Sequence, residues 1–161
     1  MILIGLFCPS HLFAHKLNNF KTGSVFPLNS FFAVEQIADL ESLKDVDGIL
    51  VQYLRAVKRT RVREEKNLLF LAIAYLYIQK EDYASASKVF RNNILGNFIL
   101  DDFRLHYEAL ALRKVAEREL GSMRYGKAIK DLRKAIDLLL TLYRSYPGSP
   151  FNDGLPKYLA E

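Results

Sequence analysis

The feature that most constrains this chain is a long stretch without proline. Pro9 and Pro27 lie near the start, and the other three prolines lie at 147, 150 and 156. Proline lacks a backbone N–H and clashes with the preceding helical turn, so residues 28–146 are free to form long helices. Half of the residues are hydrophobic and a quarter are charged, which is typical of a folded protein and not of a disordered one.

Apolar spacing predicts two pairs of helices after residue 67. The first pair is Leu68–Gln79 and Tyr83–Ile94, and the second is Leu105–Leu120 and Tyr125 to about Tyr143. Helices joined by turns as short as Lys80–Asp82 and Gly121–Arg124 are expected to pack antiparallel. Earlier helices are predicted to start at Phe31, capped by Ser30, and at Ile49, running to about Arg63. The sequence therefore predicts an all-α fold of antiparallel helical hairpins.

The two hairpins share an order of large, small and aromatic positions. Small side chains let two helices approach closely, and aromatic rings fill the gaps beside those contacts. We expect these positions to form the packing between helices: Phe70, Ile73, Ala74, Tyr77, Tyr83, Ala86 and Phe90 in the first hairpin, and Leu112, Val115, Ala116, Tyr125, Ala128, Leu132 and Ala135 in the second. Other tyrosines, such as Tyr75, Tyr107 and Tyr143, fit either the core or a concave ligand-binding face.

Over roughly residues 67–161, this order resembles the tetratricopeptide repeat, with Glu81-Asp82-Tyr83 at the usual turn. Tyr83 and Tyr125 are 42 residues apart, more than the family's usual repeat of about 34. The second hairpin also has Glu119 where the family has Tyr, and neither hairpin has the closing Pro. The resemblance implies hairpins stacked as a short solenoid.

A narrower resemblance is carried by Tyr146-Pro147-Gly148-Ser149-Pro150-Phe151 and by Ile99 to Phe103 leading into His106-Tyr107-Glu108-Ala109. These strings are similar to the helical solenoid of soluble lytic transglycosylases, and also to periplasmic tetratricopeptide lipoproteins. The transglycosylase resemblance implies a murein-holding role, with catalysis in a separate domain. Glu41-Ser42 is the only Glu-Ser, and the family's Gly-Leu-Met-Gln segment is absent, so no catalytic residue is carried over.

The first 30 residues read as a separate segment. Met1–Ala14 is apolar but too short to span a bilayer, and 17–30 reads as a loop. The apolar run has the size of an export signal, although no Lys or Arg precedes it; an apolar segment packed on the domain is the alternative. Residues 31–161 are expected to form the helical-repeat domain and to stop before a partner helix or a downstream domain. The location is periplasmic or cell-envelope if the segment is a signal, and otherwise cytoplasmic.

A basic run follows the second predicted helix: Arg55, Lys58, Arg59, Arg61, Arg63 and Lys66. It suits an acidic partner, as does the net charge of +5, and a cytoplasmic adaptor using this run is one hypothesis. The alternative is a solvated helix end whose cations favour the helix dipole. No aromatic residue interleaves with the run, so no nucleic-acid partner is expected.

The sequence offers no complete catalytic or metal site. One cysteine, Cys8, and three histidines are too few for the usual Cys- and His-based metal sites, and the sequence has no phosphate-binding loop that would indicate a cofactor. Asp45-Val46-Asp47-Gly48 reads as a break, Asp101-Asp102 as a helix cap, and His106 as a hydrogen-bonding partner of Asp102, one turn away.

The expected function is a non-catalytic helical-repeat scaffold or binding module, of the bacterial cell envelope if exported. Its concave surface would bind a protein, a peptide or murein glycan. The alternative is the solenoid part of a murein lytic transglycosylase whose catalytic domain lies elsewhere. The oligomeric state stays open.

Overall fold

The structure, a computed structural model, describes residues 46–94 and 100–152. Within these ranges the chain is helical and has no strand. The helices are α1 (Val46–Arg59), α2 (Arg63–Gln79), α3 (Tyr83–Asn93), α4 (Asp101–Gly121) and α5 (Tyr125–Ser145). The predicted all-α class is therefore confirmed for the described residues.

Some predictions concern residues outside these ranges. They are the apolar segment, the loop before residue 31, the helix starting at Phe31, the loop around Gly96 and most of the final helix. The chain divides into two compact units, Met1–Val46 and Asp47–Glu161. Apart from Val46, every described residue belongs to the second unit.

Three helices begin earlier than the sequence pattern predicts. The predicted break at residues 45–48 is wrong from Val46 onward, because α1 already includes Asp47 and Gly48. Helix α2 begins at Arg63, not Leu68, and helix α4 begins at Asp101, not Leu105. Each start brings acidic residues into the first helical turn, where a carboxylate stabilises the positive end of the helix dipole. A prediction from apolar periodicity misses these first turns because their residues are polar.

The two hairpin turns have the same backbone construction, 42 residues apart. Glu81 and Met123 have φ angles of 57° and 58°, in the left-handed region that non-glycine residues seldom adopt. The next residue in each turn donates its N–H five residues back: Asp82 to the Tyr77 carbonyl and Arg124 to the Glu119 carbonyl, both at 2.9 Å. This is the hydrogen bond of a Schellman-type helix end.

The shared offset continues into the helix that follows each turn. The N–H of Ala86 donates to Asp82 at 3.1 Å, and the N–H of Ala128 donates to Arg124 at 3.2 Å. Only the first turn has a side-chain cap, in which the Asp82 carboxylate accepts from the Ser85 N–H at 3.1 Å. The backbone of one hairpin turn is therefore repeated in the other without its capping residue.

Consecutive helices pack on one another from α2 to α5: α2 on α3, α3 on α4, and α4 on α5, with a smaller contact between α2 and α4. The last pair is antiparallel, because the start of α4 meets the residue after α5 through a hydrogen bond from the Tyr146 hydroxyl to Asp101. Its other end closes through a hydrogen bond from Lys127 to Glu119.

The core between α4 and α5 consists of two neighbouring apolar clusters. Leu105 packs with Leu142, and Ala109 and Leu112 pack with Ala135. Partly buried leucines at 138 and 139 contact both clusters. The side of α5 that carries Ala128, Ala135 and Leu142 therefore faces the interior of the unit.

Candidate binding surfaces

The four alanines at matching places in the two hairpins are fully buried. Ala74, Ala86, Ala116 and Ala128 each expose 0% of their surface. Each residue of the second hairpin lies 42 positions after its counterpart in the first. Because an alanine side chain is a single methyl group, full burial at these points means that neighbouring groups approach the helix backbone closely.

The other predicted packing residues differ in burial between the two hairpins. Those in the first are buried or partly buried: Phe70, Ile73, Tyr77, Tyr83 and Phe90. In the second, Leu112 and Ala135 are buried, and Val115 and Leu132 are partly buried. Tyr125 departs from the prediction, because 57% of its surface is exposed. Its ring lies on the side of α5 that no described helix covers.

Arg118 joins the second hairpin to the turn of the first. Its guanidinium donates to the Glu81 carbonyl oxygen at 2.9 Å and lies 5.2 Å from the centre of the Tyr83 ring. The contact satisfies a carbonyl in a left-handed turn and adds a cation–π interaction. One side chain of α4 thus holds both the turn and the start of α3.

The predicted basic residues form a surface across the end of α1 and the start of α2, called here the basic segment (Arg55, Lys58, Arg59, Arg61, Arg63 and Lys66). All except the partly buried Lys66 are exposed. Among the residues that the structure describes, none of the six forms an ion pair. Arg55 and Arg59 line an open cavity of about 420 Å³, with Gln52, Ala56 and Thr60.

The helix dipole accounts for only part of the basic segment. Lys58 and Arg59 occupy the last turn of α1, where a cation is favourable. Arg63 and Lys66, however, share the first turn of α2 with Glu64 and Glu65, and there the dipole favours the two acids and disfavours the two cations. The helix dipole therefore does not explain why the cations continue past Arg59.

A network of buried charges links α4 to α5. Glu108 accepts from Arg104 at 2.8 Å and from Lys134 at 2.6 Å, while Asp101 accepts from Arg104 and, at 3.0 Å, from the Tyr146 hydroxyl. Burial opposes a charged Arg104, but the hydrogen bonds and charges of the two carboxylates raise its pKa above the ordinary value. Burial, reinforced by the bond to Asp101, raises the pKa of Tyr146.

A second carboxylate cluster lies at the opposite end of the pair. Glu119 accepts a hydrogen bond from Lys127 at 2.6 Å, and its other carboxylate oxygen lies 2.5 Å from Nε of Arg124 in an ion pair. The hydrogen bond from Lys127, aided by the charge of Arg124, lowers the pKa of Glu119. Glu119 therefore holds the start of α5 by ion pairing.

The structure revises the predicted roles of Asp101, Asp102 and His106. The two aspartates are the first residues of α4, and Leu100 takes the cap position. The buried Nδ1 of His106 has no hydrogen-bond partner among the described residues. Its ring stacks on Phe151, with centroids 4.0 Å apart. Burial lowers the pKa of His106 to about 4; Arg113 adds to this lowering and Asp102 opposes it.

Two properties of the described residues bear on membrane and metal binding. None of the helices in 46–94 and 100–152 has the length and apolarity needed to cross a bilayer. The same ranges hold no group of three or more His, Cys, Asp or Glu side chains placed to bind a metal ion.

No protein-family model, curated protein or solved structure matches this chain. The resemblances to tetratricopeptide repeats and to lytic transglycosylases therefore stay predictions from the sequence.

The sequence reasoning missed an exposed apolar stripe along α5, defined here as Tyr125, Ile129, Leu132, Ile136 and Tyr143. Leu132 is partly buried, and the other four expose between 46% and 57% of their surface. Their spacing of three, four and seven residues follows the seam of a coiled coil. The spacing is present in the sequence, but the hairpin pattern predicts that Tyr125 and Leu132 pack within the hairpin.

Proposed function

We propose that this chain is a helical-repeat binding module whose two hairpins stack as a short tetratricopeptide-like solenoid and whose basic segment binds an acidic region of another protein. The observation that supports the stacking is the 42-residue repeat of backbone construction. It includes the left-handed residue, the hydrogen bond back to the preceding helix and the buried alanines. A repeated unit that packs on its sequence neighbours is the basis of solenoid architecture.

The partner chemistry follows from the basic segment. Cations that lack ion-pair partners in the described ranges and lie against the dipole of α2 gain most from an external anion. The planar guanidinium groups of Arg55 and Arg59, one turn apart beside the open cavity, are suited to carboxylates because they donate paired hydrogen bonds. An Asp- and Glu-rich peptide segment supplies such carboxylates in series.

Fluorescence anisotropy with a labelled Glu- and Asp-rich peptide tests this proposal on the full chain. Replacing Arg59, Arg61 and Arg63 by Gln removes three charges from the basic segment. We expect binding to weaken by at least about 10-fold, since each charged contact contributes on the order of 0.5–1 kcal/mol. Raising the salt concentration should weaken the unmodified protein in the same direction.

The matched control removes three equally exposed charges elsewhere, by replacing Arg91, Lys130 and Arg144 with Gln. Equal loss in both variants would reduce the effect to net charge and refute a defined site. Sedimentation with purified murein, run in parallel, distinguishes the partner classes. Salt-resistant murein binding without peptide binding would replace the acidic-protein proposal by the glycan one.

A further inference from the structure

The α5 stripe repeats a face that is covered in the first hairpin. Subtracting 42 from the number of each of its first four residues gives Tyr83, Ser87, Phe90 and Ile94. Ser87, Phe90 and Ile94 are buried, with exposures of 5%, 2% and 7%, and α3 packs on α4. Ile129 and Ile136, their counterparts on α5, expose 48% and 46%. The stripe is therefore the surface on which a further helix would sit.

The stripe is also large and polar-edged. From Tyr125 to Tyr143 it is about 27 Å long, and its side chains offer on the order of 400 Å² of apolar surface, a size that marks interaction sites on monomers. The side of α5 opposite its buried alanines carries charged residues such as Lys130, Asp137 and Arg144, all exposed. The stripe thus has a charged margin along one edge, as a pairing helix requires.

We propose that this stripe binds the same stripe of a second copy of the chain, forming an antiparallel α5–α5 pair around a two-fold axis near Lys134. The seam is self-complementary in this direction. Tyr125 and Tyr143 lie nine residues on either side of Lys134, and Leu132 and Ile136 lie two residues on either side. An isologous dimer needs this property, because every contact occurs twice with the partners exchanged.

The partly buried Leu139 completes the seam. Its position continues the alternating spacing of three and four residues between Ile136 and Tyr143, and it lies as far after Lys134 as Ile129 lies before it. Leu139 already packs against the α4–α5 core. The antiparallel pair would thus bring Ile129 of one copy to the edge of the other copy's core.

Charge complementarity favours a second copy over an unrelated apolar partner. Arg133 borders the seam, and Asp137 lies one turn further along the charged margin; both are exposed, and neither forms an ion pair with another residue in the described ranges. In the antiparallel pair, residue 133 of one copy is level with residue 135 of the other, so Arg133 and Asp137 are offset along the axis by only two residues. Helical side chains lean toward their own N-terminus, so these two tips converge, whereas the two Arg133 tips diverge.

Sedimentation equilibrium of the full chain tests the dimer, which we expect to form between about 1 and 100 µM. Ile136→Asp places a charge in the seam twice per dimer and should weaken association at least about 100-fold. Val51→Asp is the matched control, because Val51 on α1 is also 46% exposed; it should leave association unchanged. A monomer throughout this range, whether its stripe is free or covered by its own chain, would refute the proposal.

A charge exchange keeps the test independent of any folding defect in Ile136→Asp. Arg133→Glu and Asp137→Arg should each weaken the dimer by about 5- to 10-fold, because each places like charges together on both sides of the axis. The combined exchange should restore association. Failure of the combined variant to recover, with helicity unchanged by circular dichroism, would overturn the antiparallel pairing.

Discussion

Ala86 offers the sharpest test of the close packing between helices. Its methyl group is fully buried, and its helix, α3, packs on both α2 and α4. Leucine adds three carbon atoms to a side chain that solvent does not reach, so the added atoms must displace neighbouring groups. Overpacking of this kind costs about 1–3 kcal/mol, whereas the difference in helix propensity between Ala and Leu is only a few tenths of a kcal/mol. We therefore expect Ala86→Leu to lower the free energy of unfolding by about 2 kcal/mol.

The same helix provides the matched control. Ala84 is exposed and lies two residues away, so Ala84→Leu makes the same chemical change without a packing partner. Its effect should stay within about 0.5 kcal/mol. Urea unfolding followed by far-UV circular dichroism measures both variants, and equal m values would show that the midpoints report stability alone.

The counterpart of Ala86 in the second hairpin extends the test to the repeat. Ala128→Leu should destabilise by a similar amount, since Ala128 is also fully buried at the same distance from its turn. If Ala86→Leu were no more destabilising than Ala84→Leu, the explanation of the buried alanines by close helix approach would be wrong.

Three further predictions concern the turns and the buried histidine. Met123→Gly should raise the free energy of unfolding by about 1 kcal/mol in urea titrations, because glycine relieves the left-handed strain; Ser122→Gly, at a φ of −98°, should lower it. The pKa of His106 is depressed to about 4 from 6.5, so protonation favours the unfolded chain. The stability that neutral His106 contributes should be complete above pH 6.5, and the free energy of unfolding should be about 2 kcal/mol lower at pH 5. Thermal melts across pH measure this slope, and His106→Gln should remove it. Asp82→Ala should cost about 1 kcal/mol at neutral pH; because the hydrogen bond from Ser85 lowers the Asp82 pKa, the difference from the unmodified protein should shrink as pH falls below about 4.

The helical class can be predicted from the sequence because it depends on local periodicity. The same spacing points to Ala74, Ala86, Ala116 and Ala128, and all four are fully buried. The helix starts were placed too late because Arg63 and Asp101 begin polar turns that carry no apolar signal. Such starts depend on charge in the first turn, which a hydrophobic pattern does not weigh.

The exposure of surface residues and the contacts between distant residues are harder to predict from the sequence than the core. Tyr125 matches Tyr83 in sequence but not in exposure, because exposure depends on whether another helix follows in space. The ion pair from Lys134 to Glu108 and the hydrogen bond from Arg118 to the Glu81 carbonyl join residues 26 and 37 positions apart. No spacing rule predicts contacts between residues so far apart before the order of helix packing is known.

Small side chains at equivalent places let successive helices nest, and methyl NMR of alanine-labelled protein tests this packing most directly. We expect the methyl groups of Ala86 and Ala128 each to show nuclear Overhauser contacts to a helix other than their own. The exposed Ala84 should show none. Contacts confined to α3 and α5 themselves would contradict the nested arrangement.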